Sequence, residues 1–509
     1  MPFPHMTKLS RLLLALLLAG ATTVALAQER PRRAPAQQTE QRQAEPQGSV
    51  LRLLPDDAVT QHTVDVAGGK LAYTATAGTF SLFDQSGERS AAIFYTAYVA
   101  KTADTANRPI TFVFNGGPGA ASAYLNLGAV GPRIVEFGTS GRDGSAARLN
   151  DNPDTWLAFT DLVMIDPVGS GWSRPAKSDG GGAFWGVQRD AEALAKTIAL
   201  YLSKNSRFAS PKYILGESYG GFRAAKVARA LQREQGIVVS GIVMVSPFIE
   251  GALLGGTRFP LGAALHLPSL AAAELERKGT FSTQALAEAE RFALTEYLTT
   301  LAGPPPKGEA ARDFYKRVAA ISGVPENIVA KSRGFIRDAY LKNLRATEGK
   351  IVSRYDATFA VADPYPDHET ARGPDPLLDG LLRAYGGAFA AYARDELGFK
   401  TEMTYILLSS EIAGKWDWGD SSGRSGASAS DDLQTLLALS PSFRLLITHG
   451  YSDMVTPYAG SRYVLDHLPN IGDPARAQLR LYRGGHMYYI DAQSRKALST
   501  DAKAFYQEP

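Results

Sequence analysis

Leu215-Gly216-Glu217-Ser218-Tyr219-Gly220-Gly221 is the stretch on which the fold turns. An apolar run at 213–215 leads into it, and a segment of helical spacing at 222–234 leads out. A serine flanked by Gly216 and Gly220, between a strand and a helix, fits a turn so tight that side chains beside the serine would collide with neighbouring backbone. In such a turn the Ser218 side chain stands clear of the sheet edge. With 49 glycines in 509 residues, a Gly-x-Ser-x-Gly pattern arises by chance in roughly one of every few chains, so its reading depends on partners elsewhere.

Outward from this turn, buried-type strands alternate with helical segments. Residues 110–114 form a continuous apolar run that breaks at Asn115-Gly116-Gly117-Pro118-Gly119. Residues 161–166 form a second, ending in Pro167-Val168-Gly169-Ser170-Gly171-Trp172-Ser173, and 185–203 are helical in pattern. Residues 240–246, 445–448 and 478–482 supply further strands. The alternation predicts an α/β fold with a mostly parallel central sheet flanked by helices. Ahead of it, residues 49–100 alternate polar and apolar positions around Gly68-Gly69, which predicts antiparallel strands and a hairpin.

Residues 251–400 change texture to Ala- and Glu-rich helical segments, punctuated by Pro304-Pro305-Pro306. Because strands resume afterwards, these residues are expected to be an inserted helical cap, with 49–250 and 401–509 forming the sheet domain. The Gly/Ser/Asp-rich run 419–432 reads as a mobile loop.

At the N-terminus, Lys8 and Arg11 precede an apolar run that ends in Ala25-Leu26-Ala27. This is the pattern of a secretory signal peptide over 1–27 with an Ala-x-Ala cleavage site. Residues 28–48, rich in Gln, Arg, Pro and Glu, cannot offset their ordering entropy by burial and read as a disordered linker. An exported protein of the bacterial envelope, periplasmic or secreted, is the expectation, without stable membrane insertion once the leader is cleaved. The absence of cysteine excludes disulfides, a thiol nucleophile and thiolate metal sites. A net charge of +3 with intermixed signs gives no basic stripe of the kind nucleic acid requires.

A serine hydroxyl attacks only when a base takes its proton, and that base must be held in one tautomer by an acid. Beyond His5 of the leader, six histidines remain: His62, His266, His368, His449, His467 and His486. His486 lies in Gly484-Gly485-His486-Met487, directly after the last strand, where a glycine-bordered loop can bring it to Ser218. Asp453 follows the strand at 445–448, one strand earlier, and gives the chain order Ser, Asp, His that this fold uses. Asp466 and Asp473 lie in less suitable contexts. His449 and Asp453 alone are too few for a metal site, so no metal or other cofactor is expected. An oxyanion hole needs two backbone N–H donors, and Tyr219 after the nucleophile and Gly117 in the glycine loop are the candidates.

These residues together resemble the serine carboxypeptidases of α/β-hydrolase fold. Asn115-Gly116-Gly117-Pro118-Gly119 is similar to that family's oxyanion loop, and Gly216-Glu217-Ser218-Tyr219-Gly220-Gly221 to its nucleophile motif. Asn152-Pro153 with Trp156, the segment from Asp166 to Ser173, and Gly485-His486-Met487 are similar to its other motifs, so the resemblance spans about 90–250 and 440–490. It implies that Asn115, the backbone of Gly116, and Glu217 hold the C-terminal carboxylate of a peptide. Two carboxyl groups can share a hydrogen bond only when one is protonated, which favours acidic pH. The family pairs this Glu with a second acid before a Gly-Pro; here the Gly-Pro is Gly131-Pro132 and the second position holds Ala129. Glu136 or Arg133 is left to compensate.

The resemblance implies a serine-type carboxypeptidase acting on peptide or protein C-termini through an acyl-enzyme. An esterase or acyltransferase using the same Ser218, Asp453 and His486 is the alternative that Ala129 encourages. A non-catalytic binding protein on a hydrolase fold is the second.

Overall fold

The computed structural model describes residues 49–138, 143–255, 257–419 and 422–507. The leader and linker expected at 1–27 and 28–48 lie outside the described residues.

Fourteen strands are present among them: β1 (Ala58–Val66), β2 (Gly69–Phe83), β3 (Arg89–Ala100), β4 (Ile110–Phe114), β5 (Arg133–Phe137), β6 (Ala147–Asp151), β7 (Asp161–Ile165), β8 (Arg174–Pro175), β9 (Lys212–Glu217), β10 (Gly241–Val245), β11 (Lys350–Val352), β12 (Ala360–Ala362), β13 (Arg444–Gly450) and β14 (Ala477–Tyr482). Ten of them build one sheet in the order β1-β2-β3-β7-β4-β9-β10-β13-β14, with β8 added against β3. From β7 to β14 every pairing is parallel, whereas β1, β2, β3 and β7 pair antiparallel. This is the mostly parallel sheet with N-terminal antiparallel strands of an α/β-hydrolase.

The strand pattern follows from what each strand faces. β4, β7, β9 and β10 lie inside the sheet with both faces covered, and their residues are buried almost throughout, hence unbroken apolar runs. β1 at the edge alternates half-buried and exposed positions, as a strand with one wet face should. The helices Val187–Lys204 and Tyr219–Glu234 cover one face, in a core with Ile110, Phe112, Ile214 and Ile242. The opposite face packs Val113, Leu215 and Val243 with Phe389, Tyr385 and the C-terminal helix Ala492–Gln507.

Between β10 and β13 the chain is mainly helical. Pro260–Arg277, Thr283–Phe292, Gly308–Ser322 and neighbouring short helices share a separate apolar cluster that includes Leu267, Phe292, Tyr297, Phe314, Val318 and Met454. Met454 adjoins Asp453 in sequence, so this cluster backs the loop after β13. The run 419–432 is not simply a loop: helix Ser430–Leu439 begins within it, and Ala427 and Ala429 are buried against the sheet core. Small side chains that compositional reading takes for flexibility serve here as close packing. The hairpin of β5 and β6 was not anticipated, nor was the terminal helix.

Candidate active site

The parallel strands place every sequence-predicted site residue at one edge of the sheet. β4 and β9 run side by side with Phe114 opposite Gly216, and β9 and β10 with Glu217 opposite Val245. The loop Asn115–Gly119 therefore leaves the sheet beside Ser218. β13 and β14 end one and two places further along the same edge, and deliver the Asp453 and His486 loops. Ligands of open parallel sheets bind in such crevices outside the carboxyl ends of the strands.

Ser218 sits at φ 59°, ψ −125°, a strained conformation for a residue with a side chain, directly before helix Tyr219–Glu234. It is half-buried, whereas Glu217 and Tyr219 on either side are buried. The flanking glycines are obligatory: a Cβ on Gly216 would lie 1.9 Å from the Gly220 carbonyl, and one on Gly220 would lie 2.7 Å from the Phe114 carbonyl. The Ser218 amide donates to Val245 O at 2.9 Å, and the Ser218 carbonyl accepts from Gly221 and Phe248. Thus the strain is held by β10 on one side and the helix on the other.

The glycine loop lies directly against this turn. A Cβ on Gly116 would come within 2.6 Å of both Glu217 O and Tyr219 N, and 2.9 Å of Ser218 Cβ. The Gly117 and Tyr219 amides have no acceptor among the described residues. Three contacts fix the loop. Arg223, buried on the helix after the turn, pairs with Asp190 at 2.6 Å and donates to the Asn115 carbonyl. Leu125 N donates to Asn115 Oδ1 at 3.1 Å. Asp166 accepts from the Ser122 amide and hydroxyl, both at 2.7 Å. Burial pushes the Asp166 carboxyl up to about 6 despite those two donors.

Asp453 and His486 are brought together. His486 Nδ1 donates to Asp453 Oδ2 at 2.9 Å, and both residues are buried. The other Asp453 oxygen accepts the amides of Val455 at 2.8 Å and Thr456 at 3.1 Å, while the Thr456 hydroxyl lies 2.9 Å from Oδ2 and 3.1 Å from His486 Nδ1. Burial opposes charge on Asp453, yet the facing His486 and His449 hold its carboxyl well below the usual carboxylate range. Burial likewise opposes charge on His486, but Asp453 outweighs it and raises the imidazole above its ordinary value. With Nδ1 committed to Asp453, the Nε2 lone pair is the free basic site. No hydrogen bond joins Ser218 to His486 in the described structure; such contacts commonly close only with substrate bound.

Glu217, directly before the nucleophile, is buried. Its Oε2 accepts from Asn115 Nδ2 and from the Tyr489 hydroxyl, each at 2.7 Å. Burial pushes its carboxyl up to about 7, against the His486 charge and these two hydrogen bonds, which favour the ionised form. Ala129 is buried in the core. The candidates for compensation are elsewhere: Arg133 is engaged by Asp151 and Glu396, and Glu136 accepts from Asn150 across the β5–β6 hairpin. Glu136 is thus held within the hairpin, and Arg133 is shared between the hairpin's Asp151 and Glu396.

Sequence reasoning missed Tyr489, Thr456, Arg223 and Tyr355, whose ring packs edge-on to His486 at 5.4 Å. Tyr489 lies three residues beyond His486, and Thr456 three beyond Asp453, so proximity to the motifs was the available signal. His449 is buried, with Nε2 bonded to Ser461 at 2.8 Å. Among the described residues no group of three or more His, Asp or Glu is arranged to hold a metal.

Residues 75–256 match the family model described as serine carboxypeptidase. The matched span contains the Asn115–Gly119 loop and the Ser218 turn, and leaves Asp453 and His486 outside it. No curated protein matches the chain. Similar solved structures include proline iminopeptidase from Mycobacterium smegmatis, at 14% identity over 88% of this chain and 98% of that one with a TM-score of 0.33. A soluble variant of monoglyceride lipase from Saccharomyces cerevisiae shows 13% identity over 84% and 93%, with a TM-score of 0.36. Homoserine O-acetyltransferase from Bacillus anthracis shows 10% identity over 89% and 99%, with a TM-score of 0.37. The family match over the nucleophile region, on a sheet of this topology, makes the chain a serine hydrolase of α/β-hydrolase fold.

Proposed function

We propose that the chain is a serine carboxypeptidase that removes C-terminal residues from peptides. The observation that carries this reading is Glu217: a buried acid adjoining the nucleophile, held by Asn115 of the oxyanion loop, with a carboxyl raised to about 7. A carboxylic acid that keeps its proton near neutral pH can donate a hydrogen bond to a substrate carboxylate, which an ionised one would repel.

In this mechanism Asn115, the Gly116 backbone and Glu217 hold the terminal carboxylate. His486 Nε2 takes the Ser218 proton as Oγ bonds to the carbonyl carbon of the last peptide bond. Negative charge moves onto the carbonyl oxygen, facing the Gly117 and Tyr219 amides, and a preorganised donor of this kind contributes about 3 kcal/mol. His486 then gives the proton to the leaving nitrogen, the C–N bond breaks, and the terminal amino acid departs. Water, deprotonated by His486, attacks the acyl-Ser218 ester and restores the hydroxyl. Asp453 keeps the proton on Nδ1 and balances the transient imidazolium.

A second reading, an esterase or acyltransferase on the same residues, is favoured by the buried Ala129 where a second acid would stand. One assay separates the two: blocked peptides with free C-termini against aryl esters, in wild type and Ser218→Ala. Release of free amino acids that vanishes in the variant supports the carboxypeptidase; ester turnover with every peptide intact refutes it. Failure of a fluorophosphonate probe to label Ser218 in folded protein would favour a non-catalytic binding role. We also propose that residues 1–27 direct export, to be checked by the N-terminal sequence of the mature protein; no helix among the described residues is long and apolar enough to cross a membrane.

A further inference from the structure

Two aromatic side chains pack against Gly128, the residue before the buried Ala129. A Cβ added to Gly128 would lie 2.8 Å from the Tyr489 ring and 2.8 Å from the Tyr385 hydroxyl. The Tyr489 side chain thus reaches back from the His486 loop, past Gly128, and ends on Glu217 Oε2 at 2.7 Å. Asn115 Nδ2 meets the same oxygen at 2.7 Å. Both donors crowd one oxygen of the carboxyl, and no hydrogen bond engages Oε1 among the described residues.

Two further hydroxyls nearby are buried without a partner, Tyr124 Oη and Tyr385 Oη, on rings 5.7 Å apart. Unsatisfied buried donors in a native site call for an explanation, and an acceptor arriving beside Glu217 supplies one.

On the reading that the enzyme is a carboxypeptidase, we propose that Tyr489 is a positioning residue for terminal-carboxylate recognition. Its hydroxyl and the Asn115 amide clamp Glu217 Oε2 and turn Oε1, bearing the proton, toward the substrate carboxylate. The phenol stays neutral, so carboxylate binding follows the protonation of Glu217 alone.

The groups facing Glu217 come from four segments. His486, Tyr488 and Tyr489 lie on the loop after β14, Asp453 on the loop after β13, Tyr124 after the oxyanion loop, and Tyr355 and Tyr385 on the chain between β10 and β13. Burial raises every one of those phenols above the ordinary value, so they stay neutral across the working range. Asp453 and His486 form their own pair. Because the Tyr489 hydrogen bond favours the ionised carboxylate, removing it has a defined sign: Glu217 keeps its proton to higher pH while its orientation loosens.

The test measures KM and kcat from pH 5 to 9 on a blocked dipeptide as free acid and as its C-terminal amide, with wild type, Tyr489→Phe and Glu217→Gln. Wild type should favour the free acid at low pH, and its KM for the acid should rise about tenfold per pH unit above the Glu217 titration while the amide stays flat. Tyr489→Phe should raise the low-pH KM for the acid about threefold to tenfold and move the rise to higher pH, with a smaller change in KM for the amide. Glu217→Gln, a donor at every pH, should abolish the pH dependence of KM. The Tyr489 role is overturned if Tyr489→Phe leaves the midpoint in place, or weakens acid and amide alike. If wild type shows no preference for the acid at any pH, the carboxypeptidase reading fails and the proposal with it.

Discussion

His486 Nδ1 and Asp453 Oδ2 are joined at 2.9 Å out of contact with solvent, and His449 Nδ1 stands 3.9 Å from the same oxygen. Burial depresses the His449 imidazole below its ordinary value despite the nearby carboxylate, so it packs as a neutral ring. His486 is therefore the imidazole within hydrogen-bond reach of Asp453, beside the Val455 and Thr456 amides and the Thr456 hydroxyl. Asp453→Asn would present an amide that no longer requires the proton on Nδ1, and kcat should fall about 10³- to 10⁴-fold with little change in KM. His449→Gln should cost far less. Steady-state kinetics on an aryl ester checks both, because that assay is independent of carboxylate recognition.

The acid limb of the same ester profile has a definite sign. The proposed mechanism needs His486 neutral, and Asp453 raises its pKa. Activity on an ester should therefore fall as pH drops through the raised His486 value and stay level on the alkaline side. If the limb sits below the ordinary imidazole value in a pH titration of kcat/KM, the pairing described here does not govern the base.

Much of this site could be read from the chain because its parts are local. The run Phe112–Asn115, the turn at Ser218 and the loops after β13 and β14 each carry their meaning within a few residues, and the parallel order of strands does the rest. Tyr489 could not be read this way. Its bond to Glu217 spans the sheet edge, and nothing periodic in Met487-Tyr488-Tyr489 marks a hydroxyl that reaches back to β9. The Arg223–Asp190 pair was hidden for a related reason: charged residues on helical segments read as solvated faces until the packing buries both. Arg133 and Glu136 show the converse: nearness in sequence to Gly131-Pro132 suggested a role, but their side chains are engaged by Asp151, Glu396 and Asn150.

Gly116 should tolerate no side chain. A Cβ there would sit 2.6 Å from Tyr219 N, so Gly116→Ala must push the oxyanion loop or the Tyr219 amide out of place. The expected loss in kcat is about 10²- to 10³-fold, the effect of misplacing one oxyanion donor. Labelling by a fluorophosphonate should slow in parallel, because the phosphonyl oxygen uses the same amides. Normal labelling in the alanine variant would mean that these amides do not form the oxyanion hole.

Glu217 makes a separate prediction about stability. Its folded pKa, about 7, lies above the ordinary 4.5, so the stability it contributes is complete below about pH 4.5 and is lost as pH rises through 7. A shift of this size corresponds to a charging cost on the order of 3 kcal/mol above pH 8. Glu217→Gln removes that cost and keeps an acceptor for Asn115 and Tyr489. Its Tm should exceed wild type by a few degrees at pH 8.5 and match or fall below it at pH 5. Parallel melting curves at both values test the sign directly.

Arg223 links stability to the site. It is buried, pairs with Asp190 at 2.6 Å and donates to the Asn115 carbonyl, so one side chain ties two helices to the oxyanion loop. Removing one partner of such a pair leaves an uncompensated buried charge and costs about 3–5 kcal/mol. Burial already pushes the Asp190 carboxyl above its ordinary value with Arg223 present. In Arg223→Met it should take up a proton, so the variant should be least destabilised at acidic pH. The double variant Arg223→Met with Asp190→Leu should regain most of the stability, since neither charge remains to be desolvated. It should not regain activity, because the Asn115 carbonyl still lacks its anchor and the loop carrying Gly117 is freer to move. Chemical denaturation beside ester kcat separates the two effects: recovery of both would reduce Arg223 to a packing role, and recovery of stability alone would show that it positions the loop.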